Sequence, residues 1–275
     1  MGHVQKNEWD AIRYQGDEFS VVTEEIAEEF ALTIMLNGTE FATIVCSPFE
    51  IEELIIGFLA AEGIIRFYDE IKSISIDEKL GFAYVETFKE IDGTQTDHSK
   101  RFIGSCCGKS RQFYFKNDAK TAKTVMSSTT VKAGRCLALM KELHNRSEHF
   151  LKTGGVHNAA LADSNQLLSM HTDIGRHNAL DKLYGHILKN KLSVRDKIIV
   201  FSGRISSEVL LKVSKIGIGI LISKSAPTNL ALEFANELGI TAIGFVRGDK
   251  MNIYTHPHRV IETNQLVDEQ SIEQV

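Results

Sequence analysis

Two adjacent cysteines, Cys106 and Cys107, stand in the stretch RFIGSCCGKSRQFYFK. Neighbouring cysteines pair with each other only through a strained ring, because ordinary disulfide geometry places the Cα atoms roughly 5.5–6 Å apart. Gly104 and Gly108 bracket the thiols, and Arg101, Lys109 and Arg111 lie close by. Positive neighbours stabilise a thiolate and raise its reactive fraction at neutral pH. A mobile, reactive sulfur is therefore one reading of this loop, and a structural or zinc-binding role is the other. Tetrahedral zinc needs about four nearby ligands. The chain has no C-x-x-C pair, and the histidines nearest to the loop are isolated. His256 and His258 flank a proline, which reads more readily as an exposed turn than as a metal site. Cys46, ending a β-rich run, and Cys136, inside a helical stretch, read as packing residues.

A second group of chemistry-bearing residues recurs where predicted strands end. TGGVHNAAL carries His157 and Asn158, and DIGRHNALDK carries Asp173, Arg176, His177, Asn178, Asp181 and Lys182. SGRISSEV sets Ser202, Gly203 and Arg204 between a buried-type strand and a helix, and SKSAPTNLA does the same with Ser225 and Thr228. GFVRGDKMNIY puts Arg247, Gly248 and Asp249 in a strand-to-strand turn. Open α/β sheets bind ligands at the carboxyl ends of their strands. Guanidinium groups and backbone N–H groups at such ends suit an anion. The set implies a phosphate-bearing ligand, although neither a Walker A motif nor G-x-G-x-x-G is present.

Charge supports both readings. The 275-residue chain has a formal net charge of -5. Residues 1–99 hold 21 acidic against 6 basic side chains, whereas residues 100–135 hold 9 basic against 1 acidic, Asp118. The cysteine pair thus lies in the one strongly positive segment, a local field that attracts anions. Nucleic acid is disfavoured by the global charge and by the absence of a recognition motif. No apolar run approaches the ~20 residues of a membrane span, and no hydrophobic signal core opens the chain. Four cysteines do not make a disulfide scaffold. A cytoplasmic protein is expected.

The elements that must position these residues are legible in part. FALTIML and TEFATIVC flank Asn37-Gly38, a hairpin signal. Ser47 and Glu50 form an S-x-x-E capping box with Pro48 at the first helical position, predicting a helix over about 48–61 stopped at Gly63. Residues 71–77 and 82–88 alternate like paired strands. Residues 92–99 are turn-rich, and 101–127 has no clean period. A long helix is predicted over 131–150, ending at Gly154-Gly155. Beyond it, NAALAD and QLLSMHT read as a hairpin and 175–189 as a helix. KIIVFSG, GILIS, TAIGFV and MNIYTH read as strands, with helices at 206–216 and 227–238. Such alternation implies an α/β sheet with packed helices. A polar, loose tail follows from about 262. The expected organisation is an α+β domain over 1–130 carrying the cysteine loop, and an α/β domain over 131–275.

The blocks TGGVHNAAL, DIGRHNALDK, SGRISSEVLLK, SAPTNLALEFANELGITAIGFVRG and NIYTHPHRV, with CSPFEIEELIIGFLAAEGII near the start, resemble the formate dehydrogenase accessory sulfurtransferase (FdhD) family. The resemblance covers roughly residues 30–260, in the right order. It implies a cytidine-deaminase-like mixed sheet with flanking helices in the second half and, commonly, a homodimer. It implies a sulfurtransferase that accepts sulfur from a cysteine desulfurase as a cysteine persulfide. The sulfur passes to the molybdenum cofactor, bis-molybdopterin guanine dinucleotide, before insertion into formate dehydrogenase. The family often carries C-x-x-C before Gly-Lys. An ungapped match here puts Cys107 on the second cysteine and Gly104 on the first, while a gapped match gives Cys106 the first place. Cys107 is the expected persulfide carrier, with Cys106 as alternative or helper. Phe245, Val246, Arg247, Gly248, Asp249 and Lys250, together with Arg176 and Arg204, are expected to hold the guanine nucleotide, for which GDP is an analogue. No metal is expected, since zinc deaminases need H-x-E and P-C-x-x-C and neither occurs. The alternative is a chaperone that binds the cofactor without transferring sulfur.

Overall fold

The computed structural model describes residues 7–89, the backbone of 102–103, and 124–261. The turn-rich 92–99 stretch, the cysteine pair with its basic neighbours, and the polar tail lie outside the described residues. The first described element is a hairpin of β1 (Glu8–Gln15) and β2 (Glu18–Glu25), which pairs with no other strand among the described residues. Its turn at Gly16-Asp17 has positive φ at both positions, the primed geometry that hairpins favour. This hairpin was not legible in the sequence, because neither strand has a buried face to impose strict apolar-polar alternation.

Next comes a five-stranded sheet in the order β5-β6-β3-β4-β7. It is built from β3 (Phe30–Leu36), β4 (Thr39–Cys46), β5 (Ile71–Asp77), β6 (Phe82–Thr87) and β7 (Phe102–Ile103). The β3–β4 turn carries positive φ at Asn37 and Gly38, as the Asn-Gly signal requires. Helix α1 (Ile51–Ala61) follows β4. The predicted capping box does not form. Glu50, in the left-handed region at φ 54°, occupies the position before the helix and makes no side-chain cap. Ser47 Oγ instead accepts a hydrogen bond from Ile174 N at 3.1 Å, and the Glu50 carboxylate lies 2.8 Å from His171 Nδ1. Tertiary partners outcompeted the local cap, so the helix starts three residues later than its motif suggested.

In the second half, α2 (Ala133–Arg146) and α3 (Glu148–Thr153) replace the single predicted helix, the break falling at Ser147. A six-stranded mixed sheet follows, ordered β13-β12-β11-β10-β8-β9. Its strands are β8 (His157–Ala162), β9 (Leu167–Asp173), β10 (Ile198–Phe201), β11 (Ile220–Ser223), β12 (Thr241–Arg247) and β13 (Lys250–Ile253). Helices α4 (Arg176–Lys189), α5 (Ser207–Ile216) and α6 (Asn229–Glu237) connect them. β10, β11 and β12 are mutually parallel; β8 runs against β10, and β9 against β8. This is the expected mixed α/β sheet with flanking helices.

Both faces of that sheet are covered, which is why its strands read as continuous apolar runs. Ile199, Phe201 and Leu221 face a core cluster shared with α4 and α5. Ile198, Val200 and Ile222 face the other way, against Cys136, Leu139 and Leu143 of α2. The first cluster continues into Leu32, Ile34 and Ile44 of the five-stranded sheet by way of α1, so one apolar body joins the two sheets. At its centre α1 and α4 touch backbone to backbone. A Cβ on Gly57 would sit 1.7 Å from Asp181 O, and one on Gly185 would sit 1.9 Å from Glu53 O. Only glycine permits that approach.

Candidate functional site

The strand directions place four carboxyl ends on one edge of the six-stranded sheet: those of β9, β10, β11 and β12. The amino end of β8 joins them. Asp173, Ser202-Gly203-Arg204, Lys224-Ser225, Arg247 and His157-Asn158 therefore form one ledge. The polar clusters scattered along the sequence are brought together by topology alone.

The floor of the ledge is a buried polar lattice. Asp173, fully buried, pairs with the equally buried Lys182 at 2.8 Å. Its carboxylate also accepts from Ser47 N at 3.0 Å, Gly175 N at 2.8 Å and Asn178 Nδ2 at 2.9 Å. Lys182 donates to Thr172 O at 3.1 Å and lies 4.3 Å from the Phe49 ring centre. A buried ion pair survives only when such additional partners replace the lost water. The lattice ties the β4–α1 corner to the start of α4, and so fixes where α4 presents Arg176. Cys46 lies beside it, fully buried. Burial, with a smaller contribution from the Asp173 charge, pushes its thiol up to about 12. That thiol is inert near neutrality, and Cys136 is likewise buried. Cys46 and Cys136 are thus packing residues, as the sequence implied.

Above this floor, Ser202 Oγ accepts from Asn158 N at 2.9 Å and lies 3.5 Å from His157 Nδ1. Ser225 Oγ donates to Ser202 O at 3.1 Å, and Ser223 Oγ to Gly203 O at 2.7 Å, stitching the ends of β10 and β11 together. Gly203 permits close approach of α4: a Cβ there would meet the Phe201 ring at 2.7 Å and Arg176 Cβ at 3.1 Å. His157 is held below its ordinary value, first by burial and then by the Arg176 charge, with Asp173 opposing.

The far end of the ledge is the β12–β13 turn. A register shift between Gly244 and Arg247 marks a bulge, and Phe245 within it adopts φ 53°. A non-glycine residue in that region is strained, and such strain concentrates at functional sites. The bulge leaves Phe245 40% exposed, with the Arg247 guanidinium 6.0 Å from its ring centre. Arg247 Nε also donates to Lys224 O at 3.3 Å. Gly248 makes the turn at φ 57°, and Asp249 and Lys250 are exposed beside it. Val246 is buried in the cluster beneath α2, so its backbone, not its side chain, faces the turn. Arg204 is exposed just past β10. Arg176, Arg204 and the 245–250 turn are thus brought to one edge. Lys224 was not singled out from the sequence, although its place between Ser223 and Ser225 at a strand end was the signal. Cys106 and Cys107 lie outside the described residues. Among the described residues no group of histidine, cysteine and carboxylate side chains could hold a metal ion, and no helix is long and apolar enough to cross a membrane.

An edge rich in arginine, lysine, serine and glycine can hold a polyanion by charge-assisted hydrogen bonds. Comparison with known proteins gives this arrangement a lineage. The Sulfur carrier protein FdhD of Bacillus subtilis (strain 168) is 61% identical over 253 residues, covering 92% of this chain and 97% of that one. The protein of the same name from Geobacillus kaustophilus (strain HTA426) is 57% identical over 249 residues, covering 90% and 95%. The crystal structure of a proposed formate dehydrogenase accessory protein from Desulfotalea psychrophila shares the fold, with a TM-score of 0.75 at 24% identity, over 92% of this chain and 98% of that one. The model of the FdhD/NarQ family matches residues 27–261, from the first strand of the five-stranded sheet to the end of the ledge-bearing half. With that match and those identities, the chain belongs to the FdhD/NarQ family.

Proposed function

We propose that this protein is a sulfur carrier. It takes sulfur from a cysteine desulfurase as a persulfide on Cys107, with Cys106 as alternative or helper, and passes it to the molybdenum cofactor required by formate dehydrogenase. The carrying observation is the 61% identity with a protein named as a sulfur carrier, sustained over 92% of this chain. In loading, the carrier thiolate attacks the outer sulfur of the desulfurase persulfide. The desulfurase cysteine leaves as thiolate with the electron pair of the broken S–S bond. The product R–S–S⁻ is anionic, and the 9-to-1 basic excess of residues 100–135 favours it. The acceptor, bis-molybdopterin guanine dinucleotide, is a substrate of this transfer. Its phosphates suit the ledge formed by Arg176, Arg204 and the 245–250 turn. The reading includes a cytoplasmic homodimer acting as a sulfurtransferase.

Mass spectrometry after incubation with a desulfurase and cysteine tests the proposal. A gain of one sulfur, removed by cyanide, is expected on wild type and absent from Cys107→Ser. Loading abolished by Cys106→Ser alone would move the carrier to the adjacent thiol. No loading of wild type would favour a cofactor chaperone without sulfur transfer.

A further inference from the structure

His157 and Ser202 belong to no step described so far, yet they are built into the centre of the ledge. Ser202 Oγ already accepts from Asn158 N, which leaves its O–H free to donate. His157 Nδ1 lies 3.5 Å from that hydroxyl, and the ring is half-buried. Arg176 closes the group from α4, brought in by the missing side chain at Gly203. Arg176 Nε is buried and finds no hydrogen-bond acceptor among the described residues. A buried guanidinium N–H without an acceptor is rare, and it marks a place where an acceptor belongs. Asp173 does not fill it, being committed to Lys182, Ser47, Gly175 and Asn178.

We propose that Arg176, within the ledge described above, serves not the guanine nucleotide at the β12–β13 turn but a separate subsite for a tetrahedral oxyanion, formed with His157 and Ser202. A hydroxyl O–H, a guanidinium N–H and an imidazole N–H are the donors, contributed from the end of β10, the start of α4 and the start of β8. The lowered His157 basicity agrees with this arrangement: burial first and then the Arg176 charge disfavour a second cation, and a bound anion would oppose that field. The site stands apart from Arg247 by the sheet order β12-β11-β10-β8. His157 stands three inter-strand steps from β12 and Ser202 two, roughly 14 and 10 Å, beyond the reach of a single phosphoryl group. The two ends of the ledge therefore take two different anionic groups. This deepens the acceptor reading above and rests on it for the identity of the natural ligand, which carries several phosphates. The chemistry the subsite recognises is a tetrahedral set of oxygens with negative charge, as in a phosphoryl group.

The test is a titration of the full-length protein, with histidine ring resonances followed by NMR and with inorganic phosphate and molybdate as probes. Saturable movement of the His157 resonance is expected at millimolar anion, unchanged by saturating GDP. Arg176→Gln and Ser202→Ala should each weaken it about tenfold or more, and Arg247→Ala should leave it in place. Ser202→Thr keeps the hydroxyl and should retain binding, which guards against a folding defect in the alanine variant. Molybdate, a tetrahedral dianion like phosphate, should compete with it for the same response; failure to compete would overturn a site defined by tetrahedral charge. A His157 resonance that ignores both anions overturns the proposal, as does a response abolished by GDP, which would mean one shared site. GDP binding without any His157 response would sink the subsite and leave the nucleotide reading intact. A His157 response in a protein that binds no GDP would do the opposite.

Discussion

Arg247 and Cys46 show how one environment decides what one side chain does. Arg247 sits on a strained bulge, exposed, with its guanidinium near Phe245 and its Nε on Lys224 O. Removing a charge-assisted hydrogen bond costs about 1.5–3 kcal/mol, which is roughly a ten- to hundredfold loss of affinity. Arg247→Ala should weaken GDP binding on that scale in a calorimetric titration while leaving sulfur loading intact; unchanged affinity would move the anchor to Arg176 or Arg204. Cys46 is the opposite case. Its thiol is raised from 9.0 to about 12 by burial. Above pH 9 the unfolded chain gives up this proton while the folded chain keeps it. The unfolded state then binds fewer protons, so stability falls as pH rises toward 12. Tyr184, raised from 10.0 to about 12, acts in the same direction. Urea unfolding across this range should show that decline, with a shallower slope in Cys46→Ala. An identical slope in the variant would mean that the thiol ionises without unfolding.

Among the elements, the α1–α4 crossing matters most, because it joins the two sheets and seats Arg176. The Gly57–Gly185 contact leaves no room for a methyl group: the Gly185 Cβ would also lie 2.9 Å from Gly57 N. Overpacking typically costs about 1–3 kcal/mol, and here the obstacle is backbone, which relaxes least. Gly185→Ala should fall at or above the upper end of that range in urea unfolding. Gly134→Ala, where a Cβ would meet nothing within 4 Å, should be neutral or gain up to about 1 kcal/mol from helix propensity. Equal midpoints for the two variants would show that the crossing can spread. The buried Asp173–Lys182 pair serves the same junction, holding Ser47 N beside Ile174 N, which takes the Ser47 hydroxyl that would have capped α1.

At the scale of the whole molecule, stability resides in the two apolar clusters and not in the β1–β2 hairpin. Ile12, Tyr14, Phe19 and Val21 of that hairpin are each at least 60% exposed, and the family match begins only at residue 27. Its described ties to the rest include the 3.9 Å contact of Lys152 with Glu25. An isolated hairpin is marginal by itself. A chain lacking residues 1–25 should keep the wild-type unfolding free energy within about 0.5 kcal/mol in urea unfolding; a larger loss would reveal that the hairpin covers part of the core.

The sequence by itself determined the local vocabulary: the Asn37-Gly38 turn, the strands within NAALAD, KIIVFSG, GILIS and TAIGFV, and the helices between them. Each is written in a short-range pattern, whether turn chemistry or the apolar runs of a sheet buried on both faces. The motif blocks likewise placed the chain in its family. Tertiary structure alone decided which residues meet. Strand order brings His157, Arg176, Ser202, Lys224 and Arg247 to one edge although 90 residues separate the first from the last, and no local period encodes that order. It also decided the start of α1, where Ile174 N and His171 took the groups that would have capped the helix. The physical reason is the same in both cases. Local preferences are worth about 1 kcal/mol each, and a buried polar group that loses its partner costs more, so packing settles every position where the two compete.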